Sequence, residues 1–419
     1  MLAPPNPADS SQFLMDCWYA GIDSVKGQVA TDRALQNKAI PKIDRVLAVG
    51  KAASSMCMGL LPHVDAHTQF LLVTKYGHVD DVIKEECQFR GGNFEILESA
   101  HPVPDCNSLL AGTRALEFVK SAGPNEAMVV LVSGGASSLV EALPTSIDLD
   151  DLVFMTEILL NRGYDITQIN AIRTRISKVK GGKLLERFSG KSVFVLAISD
   201  VPANDVSIIG SGIGCYRHTR SIGGNAGFEV PVEVKEFFSR PGVSTDTQDF
   251  LQTFSFSSEI IACNETARNA VSEFAENAGV DIICNEESLH QDVNSAARMI
   301  GDCLINGPKG MYIWGGEPTV ILPDDPGCGG RNQHLALAVA EVIDGLNNIV
   351  IIAAGTDGSD GPTSAAGGLI DGNTFSSFAG ARTALMKADS GTWLEKAGAL
   401  FSSGPTGTNV MDLVIGIKN

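Results

Sequence analysis

The stretch AMVVLVSGGASSL (residues 127–139) decides the fold class, because an uninterrupted apolar run leads directly into a loop of Gly and Ser. Such a run predicts a strand buried on both faces, which is the usual environment in a parallel sheet. Similar apolar runs occur at residues 45–50, 70–74, 94–99 and 192–199. Segments of helical period, such as 105–121 and 148–163, lie between them. The pattern predicts βαβ units and a Rossmann-like, doubly wound α/β domain.

A change of composition marks the end of this first domain. Between residues 210 and 256 the periodicity is lost and Gly, Ser, Pro and Thr accumulate, so we place a boundary near Gly227. A second alternation of apolar runs and helical segments follows at residues 259–263, 264–279, 281–285, 310–316, 319–323, 331–346 and 348–355.

The sequence thus predicts two domains of α/β class. A Rossmann-like N-terminal domain spans residues 1–227, and a smaller α/β C-terminal domain spans 228–411. The last strand, about residues 412–419, is a candidate to return to the first domain. We expect the active site in the cleft between the domains, because ligand pockets occur preferentially at domain interfaces.

The bulk composition narrows the class of protein. The chain has 419 residues, of which 44% are hydrophobic and 19% charged, and no stretch approaches the roughly 20 apolar residues of a membrane helix. Nine cysteines without a C-x-x-C pair indicate reduced packing residues, and the first twenty residues do not resemble a signal peptide. The net charge of −18 disfavours nucleic acid and anionic membranes as partners. We therefore expect a cytoplasmic protein that acts on small molecules.

Two loops of the first domain have residues suited to binding an anion. Gly50 and Lys51 follow the strand at 45–50, where the N–H groups of a helix start and an ammonium favour phosphate or carboxylate. An ordinary turn with a solvated lysine is the plain alternative. The second loop combines glycines that permit close backbone approach with hydroxyl donors, namely Ser133, Gly134, Gly135, Ser137 and Ser138. Neither loop has the spacing of a P-loop or of a hydrolase nucleophile elbow.

Charged residues mark further loops at strand ends. Asp200 follows the strand at 192–199, where a carboxylate suits a hydroxyl proton or Mg²⁺, although Asp is also a common turn residue. Arg331 begins a long amphipathic helix, and an arginine there opposes the helix dipole unless an anion is present. The other candidate residues in such loops are Glu317, Asp357, Gly404, Thr406, Gly407 and Thr408.

These loops belong to motifs that follow one another along almost the whole chain. They are GKAA (50–53), HPVPD (101–105), SGGASSL (133–139), INAIRTRISKVKGGKL (169–184), ISDVPANDVSIIGSG (198–212), GGEPTV (315–320), GGRNQHLALA (329–338), GTDGSDGPTSAAGG (355–368) and GPTGTNVMDL (404–413). Together they make the sequence similar to the glycerate 2-kinase family, which comprises ATP-dependent kinases with a Rossmann-like first domain and a second domain of the MOFRL type. Ala136 and His334 depart from the family pattern, which usually has Gly and Glu there, and GSGIG (210–214) replaces an ASGP-like stretch.

The resemblance implies a role for each matching residue. Lys51 and Arg331 would neutralise charge on the transferring phosphoryl group, and Asp200 would bind or deprotonate the glycerate hydroxyl, with Asp357 as the alternative base. Glu317 and Asp357 would contact Mg²⁺ or the nucleotide. The residues implied in holding substrate or nucleotide are Ser133, Gly134, Gly135, Ser137, Ser138, Glu317, Gly330, Asn332, Asp357, Gly404, Thr406, Gly407 and Thr408.

The reaction implied by the resemblance is transfer of the γ-phosphoryl group of ATP to D-glycerate, which gives 2-phosphoglycerate and ADP. Mg²⁺ is the implied cofactor, and a homodimer is one assembly compatible with the family. The position of phosphorylation follows from the resemblance alone.

Two other functions stay open at this point. A hydroxypyruvate or tartronate reductase would act on related compounds, but the first domain lacks the G-x-G-x-x-G dinucleotide fingerprint. A non-catalytic metabolite-binding protein of the same fold would bind glycerate or nucleotide without releasing ADP. The presence of Lys51, Asp200 and Arg331 favours the kinase.

Overall fold

The structure is a computed structural model that describes residues 7–36, 42–164, 166–216, 229–243 and 253–419. The chain forms two compact units. We call Gly27–Ile261 the central unit, and Met1–Lys26 together with Ala262–Asn419 the terminal unit. Each contains a six-stranded sheet, so the predicted α/β class with two domains is confirmed. None of the helices in the described ranges is long and apolar enough to cross a membrane.

The first helix, α1 (Pro7–Val25), belongs to the terminal unit. The helices and strands that follow it up to residue 262 are α2 (Gly27–Gln36), β1 (Arg45–Val49), α3 (Ala53–Leu60), β2 (Gln69–Lys75), α4 (Asp81–Arg90), β3 (Phe94–Ser99), α5 (Cys106–Lys120), β4 (Ala127–Val132), α6 (Ala136–Leu139), α7 (Leu149–Asn161), α8 (Ile166–Ile176), β5 (Ser192–Ile198), α9 (Val232–Phe238) and β6 (Ser255–Ala262).

The remaining helices and strands all lie in the terminal unit. They are α10 (Asn264–Asn277), β7 (Ile282–Leu289), α11 (Val293–Asn306), β8 (Gly310–Gly316), α12 (Arg331–Val342), β9 (Ile349–Gly355), β10 (Gly367–Asp371), α13 (Ala381–Met386), α14 (Ser390–Ala397), β11 (Leu400–Phe401) and β12 (Asp412–Lys418).

The central sheet has the strand order β3-β2-β1-β4-β5-β6. The pairs β3–β2, β2–β1, β1–β4 and β4–β5 are parallel. Every residue of β1 and β4 is buried, as the apolar runs in the sequence predicted. Strand order reverses between β1 and β4, and at such a switch point the loops beyond the strand ends form a ligand-binding crevice.

The terminal sheet is mixed, in the order β11-β10-β9-β12-β8-β7. β12 lies in its middle and pairs antiparallel with both β8 and β9. Helix α1 packs on this sheet, because Leu14, Trp18 and Ile22 are buried in one cluster with apolar residues of β9 and β12. The two ends of the chain therefore belong to the same unit.

The structure differs from the expected organisation in four places. Helix α1, expected in the first domain (1–227), belongs to the terminal unit. The last strand does not return to the first sheet, since β12 is central in the second. Strand β6, whose end we assigned to the second domain, joins the edge of the central sheet, and the division falls after Ile261. Residues 319–323 were expected to form a strand but contribute only an isolated bridge at Thr319. The boundary proposed near Gly227 lies outside the described residues.

Candidate active site

The loops after β1 and β4 are bonded to each other in the central unit. The amide of Lys51 donates to the carbonyl oxygen of Gly134 at 2.9 Å, and the amide of Ala52 donates to Ser133 Oγ at 3.1 Å. Gly50 has φ of +131°, and a Cβ atom there would lie 2.2 Å from Ser133 Oγ. Only glycine fits this position without displacing the neighbouring loop. The structure thus brings together two loops that were predicted separately as anion sites.

The side chains of Lys51 and His101 border the second of these loops. Gly135 has φ of +84°, and a Cβ atom there would meet Lys51 Cγ at 3.2 Å and His101 Cδ2 at 3.1 Å. A cationic side chain and an imidazole therefore flank the glycine backbone, an arrangement suited to an anion. His101 belongs to the HPVPD motif, but no role was predicted for it, because its approach to Gly135 depends on the fold of the sheet.

The serine hydroxyls of this loop bond to the protein itself. Ser133 is fully buried, Ser138 Oγ donates to the Gly135 carbonyl oxygen at 3.1 Å, and Ser137 Oγ is 2.8 Å from Ser211 Oγ. These serines were predicted to hold phosphate or carboxylate. In the structure their hydroxyl groups stabilise the conformation of the loop. Their effect on a ligand would therefore be partly indirect, through this conformation.

Asp200 follows β5 directly and is half-buried. Because β5 is the parallel neighbour of β4, Asp200 lies at the same edge of the sheet as the two glycine loops. The chain beyond it contains non-glycine residues with positive φ, namely Ala203 at 64°, Asn204 at 53° and Ser211 at 56°. Backbone of this kind persists only where surrounding contacts hold it, and it is concentrated at functional sites.

Arg331 of the terminal unit stands between two carboxylates. Its Nη1 atom lies 2.6 Å from Glu317 Oε1, and its Nη2 atom lies 3.4 Å from Asp412 Oδ2. Burial alone would lower the pKa of Arg331, but Asp412 and Glu317 outweigh it and raise the pKa above its usual range. Arg331 is therefore a permanent cation with a defined orientation.

Asp412 is a functional candidate that sequence reasoning missed. Its side chain is buried, and this burial raises its pKa to about 7 although Arg331 opposes the shift. Asp412 lies in the motif GPTGTNVMDL (404–413), but no role was predicted for it, because its contact with Arg331 depends on the fold. Asp412 contacts Arg331 and helps to orient its guanidinium group.

A second buried carboxylate, Asp360, caps the start of α12. Its two oxygens accept from the amides of Asn332 at 3.1 Å and Gln333 at 2.8 Å. A Cβ atom on Gly330 would lie 2.2 Å from Asp360 Cγ, so glycine there admits the cap. An arginine at the start of a helix requires a nearby anion, and here the protein itself supplies one. The position of Arg331 at the start of α12 therefore does not by itself indicate a substrate anion.

The loops that contain Asp357 and residues 404–408 also meet. The Thr406 amide donates to the Asp357 carbonyl oxygen at 3.4 Å, and a Cβ atom on Gly358 would lie 2.0 Å from the Gly404 carbonyl oxygen. Thr408 is buried and its hydroxyl donates to the Val25 carbonyl oxygen at 2.6 Å. Gly404, Thr406 and Asp357 therefore form one surface of the terminal unit, whereas the Thr408 hydroxyl points to α1.

Acidic residues are the candidate ligands of Mg²⁺. No group of three His, Cys, Asp or Glu side chains in the described part of the chain is arranged to hold a metal ion. Mg²⁺ is usually held by one or two carboxylates together with substrate phosphates. Glu317, whose side chain is 44% exposed, and Asp357 offer this donor chemistry.

Comparisons with known proteins show the family of the chain. Residues 13–223 match the family described as a domain of unknown function, DUF4147, and residues 310–412 match the MOFRL family. The D-glycerate 2-kinase of Thermotoga maritima is 34% identical over 408 residues, which cover 93% of this chain and 94% of that protein. A putative hydroxypyruvate reductase of Agrobacterium vitis is 30% identical over 387 residues, which cover 88% of this chain and 97% of that protein.

A solved structure has the same fold. The crystal structure of glycerate kinase from Thermotoga maritima superposes with a TM-score of 0.82 at 31% identity, and the match covers 98% of this chain and 99% of that chain. The relatives, matched over almost the whole of this two-domain α/β chain, place it in the class of phosphotransferases. The chain belongs to the glycerate 2-kinase family.

Proposed function

We propose that this protein transfers the γ-phosphoryl group of ATP to the 2-hydroxyl group of D-glycerate, giving 2-phosphoglycerate and ADP. The observation that carries the proposal is the match to D-glycerate 2-kinase over 93% of the chain, which includes both the Lys51 loop and the Arg331 helix. The roles of individual residues are our hypotheses, argued from their surroundings.

Lys51 and Arg331 supply the positive charge. Phosphoryl transfer requires alignment of the reactants and neutralisation of charge on the phosphoryl oxygens, with little covalent chemistry from the protein. The Lys51 side chain passes beside the Gly135 backbone, and the Arg331 guanidinium is oriented by Glu317 and Asp412. Cations oriented in advance lower the barrier without reorganising during the reaction.

Asp200 is our candidate for the group that binds or deprotonates the glycerate hydroxyl. It is half-buried at the edge of the sheet that carries Lys51, where a carboxylate can orient a small hydroxy acid. Asp357 is the alternative base. Its carboxylate oxygen Oδ1 accepts from the amide and the hydroxyl of Ser359, both at 3.0 Å.

We assign the nucleotide phosphates to the glycine loops at 133–138 and 404–408, with Gly330 and Asn332 as further contacts. Asn332 is buried and its Nδ2 atom is 3.4 Å from Asp360 Oδ1, so we expect it to act mainly through the helix start. Mg²⁺ would be held by Glu317 or Asp357 and would neutralise phosphate charge during transfer. Location in the cytoplasm and assembly as a homodimer are further proposals, to be tested by cell fractionation and analytical ultracentrifugation.

The test is product identification by ³¹P NMR after incubation with ATP, Mg²⁺ and D-glycerate. We expect the resonance of 2-phosphoglycerate to appear in proportion to ADP, and to be absent when L-glycerate replaces D-glycerate. A resonance of 3-phosphoglycerate would refute the assigned hydroxyl. Absence of any phosphoglycerate, with glycerate binding intact, would leave a metabolite-binding protein.

A reductase is the second candidate, because two relatives are named putative hydroxypyruvate reductases. The loop after β1 opposes this function, since it reads VGKAA without the dinucleotide fingerprint. NADH or NADPH oxidation with hydroxypyruvate or tartronate semialdehyde would decide. Turnover comparable with the kinase assay would favour the reductase.

A further inference from the structure

The central unit contains a buried ion pair that no proposed catalytic step uses. The side chains of Lys180 and Glu141 are both fully buried, and Lys180 Nζ donates to Glu141 Oε2 in a very short contact. Glu141 Oε1 accepts from the Ser177 hydroxyl at 2.5 Å and from the Ala142 amide at 3.0 Å. The carboxylate is therefore fully engaged by the surrounding protein.

Such a pair is a poor source of stability. Removing two charges from water costs several kcal/mol per ion, and replacing a buried pair by apolar residues of similar volume is often neutral or stabilising. Burial accordingly lowers the pKa of Lys180, while Glu141 opposes this shift. The presence of the pair calls for a role other than holding the fold together.

Arg173 connects this pair to the loop that borders Lys51. It extends from α8, and its Nη2 atom lies 3.3 Å from the carbonyl oxygen of Ser137 and 3.9 Å from Glu141 Oε2. The Arg173 side chain is 12% exposed, and its Nε atom is buried without a hydrogen-bond partner among the described residues. Arg173 thus bridges the Glu141 carboxylate and the backbone of the loop.

The segment that carries Lys180 also supports the loop from a second direction. The amides of Gly181 and Gly182 donate to the carbonyl oxygens of Ser211 at 2.8 Å and Gly212 at 3.0 Å. The Ser211 hydroxyl in turn pairs with the Ser137 hydroxyl. Both the carbonyl and the hydroxyl of Ser137 are therefore tied to the chain around the buried pair.

We propose that Arg173, oriented by the buried Glu141–Lys180 pair, is a positioning residue that sets the conformation of the anion-binding loop at 133–138. It acts through the Ser137 carbonyl group and need not touch a substrate. The inference rests on the proposed function, since the loop is assigned there to substrate or nucleotide anions.

The experiment compares steady-state kinetics of wild type, Arg173→Lys, the double variant Glu141→Gln with Lys180→Met, and Arg175→Lys. Arg175 is the matched control, because it lies on the same helix but its guanidinium packs on the ring of Phe238 at 4.1 Å. We expect KM for ATP or D-glycerate to rise about tenfold in Arg173→Lys and in the double variant, because a small displacement of a binding loop has effects of this size. Thermal midpoints should stay close to wild type, and Arg175→Lys should keep wild-type KM values.

Unchanged KM values for both substrates in Arg173→Lys and in the double variant would overturn the inference. If the double variant does not fold, Arg173→Lys decides alone. If wild type releases no ADP, the proposed function fails separately, and the inference is then read from the Kd for ATP by calorimetry. A Kd for ATP that Arg173→Lys leaves unchanged would refute it in that case.

Discussion

The Lys51 region and the Arg331 region, both proposed to bind charged ligands, differ in what organises their side chains. Around Lys51 the loops of the proposed ligand site consist of glycines and serines, and the Glu141–Lys180 ion pair is buried. Around Arg331 the charges themselves face one another, with Glu317 half-exposed and Asp412 buried. The first region depends on backbone shape, whereas the second depends on ionisation.

This difference predicts which changes should impair each region. A loop shaped by glycine tolerates changes of pH but no added atom, because its conformation lies where side chains clash. An arginine held by carboxylates tolerates small changes of shape but responds to protonation of its partners. Substitutions in the two regions should therefore differ in kind as well as in size.

The largest effect is expected at Arg331. Arg331→Ala should lower kcat/KM about a thousandfold, which is the lower end of the effect of arginines that stabilise a transferring phosphoryl group. Arg331→Lys should recover only part of this loss, because an ammonium cannot contact Glu317 and Asp412 with one rigid fork. Steady-state assays of ADP release measure both, and full activity in Arg331→Lys would contradict the oriented-fork account.

The next largest effect is expected at Gly50. Gly50→Ala places Cβ 2.2 Å from Ser133 Oγ at φ of +131°, so we expect a loss of about 3 kcal/mol in the free energy of unfolding. Gly77→Ala is the matched control, since Gly77 also has positive φ, 75°, but no atom lies within 4 Å of its Cβ position. The control should lose only about 1 kcal/mol, from backbone strain alone. Equal losses in urea denaturation would show that the contact with Ser133 is unimportant.

A pH effect on stability between about pH 4 and 7 is expected from Asp412 in the Arg331 region. Burial raises the pKa of Asp412 from 3.8 to about 7, so the folded protein holds this proton more tightly than the unfolded chain. Asp412 therefore stabilises the fold fully below about pH 4, and this contribution is lost as the pH rises towards about 7. Relative to Asp412→Asn, wild type should lose about 2 kcal/mol or more between these pH values.

Urea denaturation of both proteins at several pH values measures this difference. Other carboxyl groups titrate in both proteins and largely cancel. A difference in unfolding free energy that is independent of pH would contradict the raised pKa of Asp412.

The smallest effect is expected at Thr408. Thr408→Val removes the hydrogen bond to the Val25 carbonyl oxygen and should cost about 1 kcal/mol of stability, with KM values within about twofold of wild type. Thr406→Val is the comparison, because its hydroxyl donates to the Thr356 carbonyl oxygen at 2.6 Å in the loop assigned to phosphate. A larger KM change in Thr408→Val than in Thr406→Val would show that Thr408 contributes to ligand binding.

The central sheet was largely predictable from the sequence. Strands such as β1 and β4 are buried on both faces, so their residues form continuous apolar runs that end in glycine loops. Strand β6 was assigned to the other domain because a segment without periodicity, residues 210–256, precedes its end. Its place at the sheet edge depends on pairing between distant parts of the chain, and so does the central place of β12 in the second sheet.

The candidate site residues could be proposed from the sequence where residue type and position sufficed. Lys51, Asp200 and Arg331 stand at strand or helix ends, which the pattern of the chain locates. Asp412 and the Glu141–Lys180 pair were not predictable, because a buried charge becomes distinctive only when its partner, 39 positions away for that pair, is brought to it.

The most direct test of one reaction served by both regions is glycerate-dependent ADP release by wild type, Lys51→Ala, Arg331→Ala and the variant that combines them. We predict release by wild type only with D-glycerate, and a loss of at least about a hundredfold in kcat for each single variant. The combined variant should lose less than the product of the two single losses, because groups that act on one transition state are not additive. Absence of glycerate-dependent ADP release in wild type, or full activity in either single variant, would contradict the account.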